Sequence, residues 1–132
     1  MSMVVRYVAV LAILAIGDAI WLMTYFAPKV FRPTLGPILR DNIEWPAAIT
    51  FYVVYALGIV VFSLSIRSPS NWTTALLFGA LFGFFAYMTY DLTNYATLKV
   101  WTIQLAVTDV AWGTLISALA AVGGYFAGKA VE

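Results

Sequence analysis

Between Pro46 and Arg67 the sequence reads AAITFYVVYALGIVVFSLSI, twenty residues without a charged side chain. An α-helix rises about 1.5 Å per residue, so a run of this length spans the roughly 30 Å hydrocarbon core of a bilayer. The run shows no sustained alternation of polar and apolar residues, which a membrane-spanning strand needs. It therefore predicts a transmembrane helix at 47–66.

The same apolar composition extends over the whole chain of 132 residues, of which 64% are hydrophobic and 10% are charged. Soluble globular domains are about 25% charged and about 45–50% apolar, so lipid is the predicted solvent. Three further apolar runs lie at 4–26, 72–92 and 102–127. We predict one all-α domain, residues 1–132: a transmembrane bundle of four antiparallel helices with both termini on the same side.

The segments between the runs predict how the helices are connected. No small-residue cleavage pattern follows the first run before Pro28, so we interpret this run as a retained span rather than a signal peptide. The polar connection at 27–46 mixes prolines, a glycine and charged residues, and is predicted to break helices apart from one short interfacial turn. Residues 93–101 fit either a loop or an extension of the third helix.

Charge and residue usage exclude several classes of function. The net charge is +1 and the seven basic residues are scattered, so nucleic acid is not an expected partner. The chain has no Cys and no His, which removes disulfides, thiolate nucleophiles, the usual zinc sites and haem ligation by these residues. No cofactor and no metal are expected. Lys and Arg divide three against four between the two predicted sides, which leaves the orientation open.

Three acids, Asp18, Asp91 and Asp109, lie inside or at the ends of the apolar runs. A carboxylate placed in a membrane costs on the order of 2.5–3.5 kcal/mol, so each should face protein or water and have a partner. Asp91 and Asp109 lie about 28 and 30 Å along their helices from the opposite face, and are therefore level. Asp18 is predicted to lie about 10 Å deeper. The three are the candidate catalytic residues.

Polar and aromatic residues accompany these acids and predict a pocket near one membrane face. Such a mixture suits a polar or cationic head joined to an apolar portion. The predicted ligand-binding residues are Asp18, Trp21, Tyr52, Tyr55, Tyr87, Asp91, Asn94, Lys99, Asp109 and Trp112. Simpler interpretations are an interfacial aromatic belt and, for Asp91, a helix-end network with Lys99 or Asn94. Small residues recurring every four positions on the last two helices predict packing seams.

Four phrases carry a family resemblance: GDAIWL at 17–22, FYVVYALG at 51–58, FGFFAYMTYDLTNYATLKVW at 82–101 and DVAWGT at 109–114. Together they are similar to a bacterial family of predicted four-helix integral membrane proteins, the domain-of-unknown-function family 2177. The similarity extends over nearly the whole chain. It implies the four-helix architecture and a bacterial inner (plasma) membrane, but no established activity. A neighbourhood of fatty-acid-modifying enzymes, also implied by the resemblance, favours a lipid as ligand.

Three functions fit these observations. The first is a site that binds, or also modifies, a lipid or other amphiphilic small molecule, with the three acids as general acid or base or as anchors of the polar head. The second is a proton- or cation-coupled transporter, which needs a homo-oligomer because four helices give little room for alternating access. The third is an accessory subunit of a lipid-modifying system. The sequence leaves open whether the protein is an enzyme.

Overall fold

The computed structural model describes residues 2–132, and these form four helices that are long and apolar enough to cross a membrane. The helices are α1 (Ser2–Ile38), α2 (Trp45–Ser65), α3 (Trp72–Thr97) and α4 (Ile103–Ala130). Residues 2–132 contain no strand. The prediction of an all-α membrane protein with four spans is confirmed.

The first helix is longer than the sequence predicts. It continues past Phe26 and Pro28 to Ile38, so the expected polar connection at 27–46 shortens to 39–44. From Leu22 to Phe31 it is wound as a π-helix. Proline lacks the N–H for the bond four residues back and crowds that carbonyl, and the wider π turn lets the chain pass it.

Tertiary packing explains why this extension stays helical. Its side chains Phe26, Val30 and Leu35 are buried and form one cluster with Trp101 and the first turns of α4. The three residues follow one face of the helix, and burying them outweighs the local preference of the prolines and charges for a loop. Residues 93–101 contain both of the expected alternatives. Helix α3 extends to Thr97, and a tight turn follows it.

Helices α3 and α4 pack closely through their small residues. A Cβ added at Gly83 would lie 2.5 Å from the Ser117 hydroxyl and closer still to the Gly113 carbonyl, and one at Gly79 would lie 2.5 Å from Ala121. Successive positions along α3 therefore contact positions progressively closer to the start of α4. The small-residue stripes are a packing seam within the chain, which lets the two backbones approach as in other membrane helix pairs.

Helix α1 lies on another side of α4, again with opposite contact order. Gly17 faces Ile116, whereas Gly124 faces Val10 near the start of α1. At the end of the bundle, the Arg6 guanidinium lies 2.9 Å from the Glu132 carboxylate, an ion pair between the two ends of the described chain. That the termini share one side of a membrane stays a prediction.

Helix α2 is attached more loosely than the other three. Its last turns, Val60–Ser65, pack against α1, α3 and α4, whereas the backbone of its first half stays apart from α3. Hydrogen bonds from tyrosine hydroxyls help to hold this half, including one donated by Tyr7 to the Val53 carbonyl at 3.0 Å. The divergence of α2 and α3 leaves a gap at the end of the bundle where α4 begins.

A candidate ligand cavity lined by aromatic rings and Asp109

A cavity of about 530 Å³ occupies this gap and is lined by all four helices. Its volume falls within the roughly 300–1,000 Å³ of small-molecule sites. Seven aromatic rings and one carboxyl group contribute to the wall. The lining residues are Leu22, Phe26 and Phe31 of α1, Phe51 and Tyr55 of α2, Ala86, Tyr87 and Tyr90 of α3, and Trp101, Leu105 and Asp109 at the start of α4.

The cavity reaches the outer surface of the bundle between α2 and α3. Two of its lining residues, Phe51 on α2 and Tyr90 on α3, are 44% and 49% exposed. Two other lining residues, Leu105 and Trp101, are fully and nearly fully buried. The cavity is thus a cleft that leads from the side of the bundle towards its interior.

The carboxyl group in the wall belongs to Asp109, and a second one lies behind it. Asp91 is fully buried on α3, and its side chain contacts both the Asp109 carboxyl and the Trp101 indole. Neither contact has the geometry of a hydrogen bond, so both oxygens of Asp91 and the Nε1 of Trp101 lack a hydrogen-bond partner. Asp91 and Asp109 are together, at the level that the helical rise predicts.

Asp18, by contrast, has partners for both oxygens. It accepts a hydrogen bond of 2.6 Å from the Tyr52 hydroxyl and one of 2.7 Å from the Trp112 indole N–H. The Trp112 ring stacks on Trp21, with centroids 4.7 Å apart. Asp18 therefore links α1 to α2 and α4 beside the inner end of the cavity, and its burial is compensated by two donors.

Two tyrosines of the wall are fixed by their neighbours. Tyr55 and Ser117 share a hydrogen bond of 2.7 Å between their hydroxyls, which joins α2 to α4. Tyr87 places its ring against Gly113, where a side chain on α4 would occupy the same space. The Tyr55 and Tyr87 rings meet edge to face, with centroids 6.1 Å apart. This part of the wall is preformed by the packing of the helices.

Comparison with known proteins adds the family. The family description "Predicted membrane protein (DUF2177)" matches residues 3–126, nearly the whole chain. The chain belongs to the DUF2177 family. The resemblance found in the sequence is confirmed, and with four apolar helices this DUF2177 protein is a multi-pass integral membrane protein. Neither a curated protein nor a solved structure matches the chain.

The structure brings most of the predicted site residues of this DUF2177 protein together, but not all. Tyr55, Tyr87 and Asp109 line the cavity. Those that surround it without lining it are Asp18, Trp21, Tyr52, Asp91 and Trp112. Asn94, half-buried on the last turns of α3, and Lys99, exposed in the turn that follows, are not part of the lining. Neither contributes a hydrogen bond to Asp91, so the helix-end network considered for this residue does not form.

Several lining residues of the DUF2177 protein were not predicted. Phe26 lies at the end of the first predicted span and Phe31 in the predicted polar connection. Trp101 is the last residue of the predicted connection 93–101, and Leu105 lies at the start of the fourth predicted span. The spacing of Leu22, Phe26 and Val30 at every fourth position is the signal that continues the apolar face of α1 through this segment. For the gap between α2 and α3 the sequence offers no such signal.

Within the described range 2–132, no three acidic side chains lie close enough together to hold a metal ion. Asp18 already accepts hydrogen bonds from Tyr52 and Trp112.

Proposed function

We propose that this DUF2177 protein binds an amphiphilic small molecule or lipid in the cavity, with the polar head at Asp109 and the apolar part on the aromatic wall. The observation that supports the proposal is one carboxyl group in an otherwise apolar and aromatic lining. Ligand sites of this kind combine a largely hydrophobic wall with a few polar groups that orient the ligand.

The position of the opening supports entry from the membrane. Phe51 on α2 and Tyr90 on α3 are the most exposed of the lining residues, and in this proposal they face the bilayer. An amphiphile dissolved in the bilayer can therefore pass sideways into the cleft without entering water. The loosely attached first half of α2 is the element that can move to admit it.

The difference between the acids supports Asp109 as the contact for the polar head. A carboxylate at membrane depth needs a partner. Asp18 has two donors, whereas the pair of Asp91 and Asp109 has no cation within ion-pair distance among the described residues. In this proposal Asp18 is a positioning residue that holds Tyr52 and Trp112, and the pair is left for the ligand.

Four apolar helices also suit a bacterial inner membrane better than an outer membrane, whose integral proteins are barrels. We therefore place the protein in the inner membrane, where lipids and lipid precursors are within reach of the cleft. This placement is part of the proposal and rests on the architecture.

Replacing Ala86 by Trp should empty the cavity of its ligand. Ala86 lines the cleft, so an indole at this position takes up much of the space. Native mass spectrometry with lipidomics, on protein purified in mild detergent, should show a defined small molecule on the wild type. We expect the Ala86→Trp protein to lose at least about nine tenths of it, a tenfold change or about 1.4 kcal/mol.

The matched control is Leu81→Trp, which adds an indole to the outer face of the same helix, where Leu81 is exposed. It should retain the ligand as the wild type does. Circular dichroism establishes that both variants are folded. Equal retention by wild type and Ala86→Trp, or bulk phospholipid as the sole bound species in all three proteins, would contradict a ligand site in the cavity.

A further inference from the structure

The basic residues of the protein lie away from the cavity acids. Arg6 pairs with Glu132, and Arg40 lies 3.7 Å from Glu44. Three others stand over aromatic rings outside the cavity: Lys29 over Tyr25, Arg67 over Phe78 and Lys129 over Tyr125. The last two, Arg32 and Lys99, are exposed and do not line the cleft. Among the described residues, the Asp109 carboxyl in the cavity wall and the Asp91 carboxyl behind it therefore have no cation to neutralise them.

The carboxyl pair favours a positive charge beside it. Asp91 is fully buried, has no hydrogen-bond partner for either oxygen and contacts Asp109. Two carboxylates in contact repel each other when both are ionised, and the repulsion is stronger in a medium of low dielectric constant. A cation at Asp109 would offset the negative charge of the pair, whereas an anionic head would add to it.

The aromatic wall also favours a positively charged ligand head. Aromatic faces attract ammonium groups, and cages of several rings are the usual sites for quaternary ammonium ligands. Here Phe26, Tyr87 and Tyr90 belong to a wall that also holds Asp109. The wall thus combines both groups by which proteins recognise an alkylated cation, namely aromatic rings and one carboxylate.

We infer that the head recognised by the cavity is an ammonium or quaternary ammonium group carried on an apolar chain. This inference rests on the proposed function, because it names the chemistry of the ligand in the same cavity. Cationic detergents and lipids with an ammonium head share this chemistry. The apolar chain lies along the aromatic wall towards the opening between α2 and α3.

The test compares probes that share one brominated alkyl chain and differ in the head, which is trimethylammonium, phosphate or a neutral glycoside. Bromine quenches tryptophan fluorescence on contact, and Trp101 lines the cavity. The protein carries Trp45→Phe and Trp72→Phe, because these two tryptophans are 61% and 47% exposed and would report probe in the surrounding micelle. Measurements are made in micelles of a polyoxyethylene detergent, whose head is uncharged and carries no ammonium group, and again with added phosphatidylethanolamine as competitor.

We expect the trimethylammonium probe to bind about tenfold more tightly than the glycoside, and the phosphate probe to bind more weakly than either. Asp109→Asn should abolish the preference for the cation, with Asp91→Asn as a second variant and Asp41→Asn, in the exposed connection, as the control. Competition by phosphatidylethanolamine identifies a lipid head as the source of the cation, and its absence points to a free cationic amphiphile.

The two proposals fail in different ways. The blocking variant in this assay is Ala86→Phe, which takes up space in the cavity without adding a reporter tryptophan. If all three probes quench equally with Ala86 in place and none does so in Ala86→Phe, the cavity binds amphiphiles and the inference about charge is wrong. Stronger binding of the phosphate probe than of the cation overturns it as well. If quenching by every probe is the same with Ala86 and with Phe at this position, the proposed function fails and the inference with it.

Discussion

Gly83→Leu should prevent the bundle from reaching its native packing. The Cβ alone would lie within contact distance of the Gly113 carbonyl and 2.6 Å from the Cβ of Ser117, so the α3 and α4 backbones must separate. Overpacking usually costs about 1–3 kcal/mol, and we expect a cost at or above about 3 kcal/mol because backbone cannot yield as a side chain does. The measurement is the loss of helicity on titration with sodium dodecyl sulfate in mixed micelles.

Gly36→Leu is the matched control for this substitution. Nothing lies within 4 Å of a Cβ built at Gly36, and the residue is exposed near the end of α1. Its unfolding midpoint should remain near that of the wild type. A Gly83→Leu protein that unfolds at the wild-type midpoint would show that the α3 and α4 backbones are not in close contact at Gly83.

Asp18→Leu should destabilise the protein by about 2 kcal/mol or more, because it leaves two donors without an acceptor. The donors are the Tyr52 hydroxyl and the Trp112 indole N–H, which both reach Asp18 from other helices. Asp18→Asn keeps one side-chain oxygen in nearly the same place and should lose less. The same detergent titration measures the difference between the two variants.

A double-mutant cycle tests whether the loss comes from these bonds. Trp112→Phe removes one donor, so combining it with Asp18→Leu should cost less than the sum of the two single substitutions. Strictly additive losses would mean that Asp18 and Trp112 do not interact, and the network beside the cavity would then be wrong.

The fold follows from the sequence to the extent that it depends on hydrophobicity. Four apolar runs of about membrane-spanning length exclude a soluble core and predict four helices, and the structure has them. The extension of α1 to Ile38 could not be predicted in this way. Local composition around Pro28 favours a break, and the helix persists because Phe26, Val30 and Leu35 pack against Trp101, a residue far away in sequence.

The sequence predicts how far along its helix each acid of the site lies, but not the direction in which its side chain points. The helical rise predicts Asp91 and Asp109 at one level, and their side chains are in contact. Asp18 bonds to Trp112, which lies one turn further along α4 than Asp109. Which side chain each acid faces depends on how each helix is turned about its axis and on where α2 diverges from α3. For this reason the sequence offered Lys99 as a partner of Asp91, whereas the structure places Asp109 there.

The α3–α4 seam, the Asp18 network and the cavity are connected parts of one arrangement. Close packing at Gly83 and Gly113 brings α3 to α4 and positions Tyr87 over α4. The Asp18 network holds α1 and α2 to α4 at the inner end of the cavity. The space between α2 and α3 then remains open, with Asp109 in its wall.

The most direct test of the ligand cavity is a crystal structure of the wild-type protein grown from a lipid mesophase. The proposal predicts elongated density, not belonging to the protein, that runs from the opening between Phe51 and Tyr90 to a head within hydrogen-bond or ion-pair distance of Asp109. A cleft closed by α2 against α3, with Asp109 paired to a side chain of the protein, would contradict it.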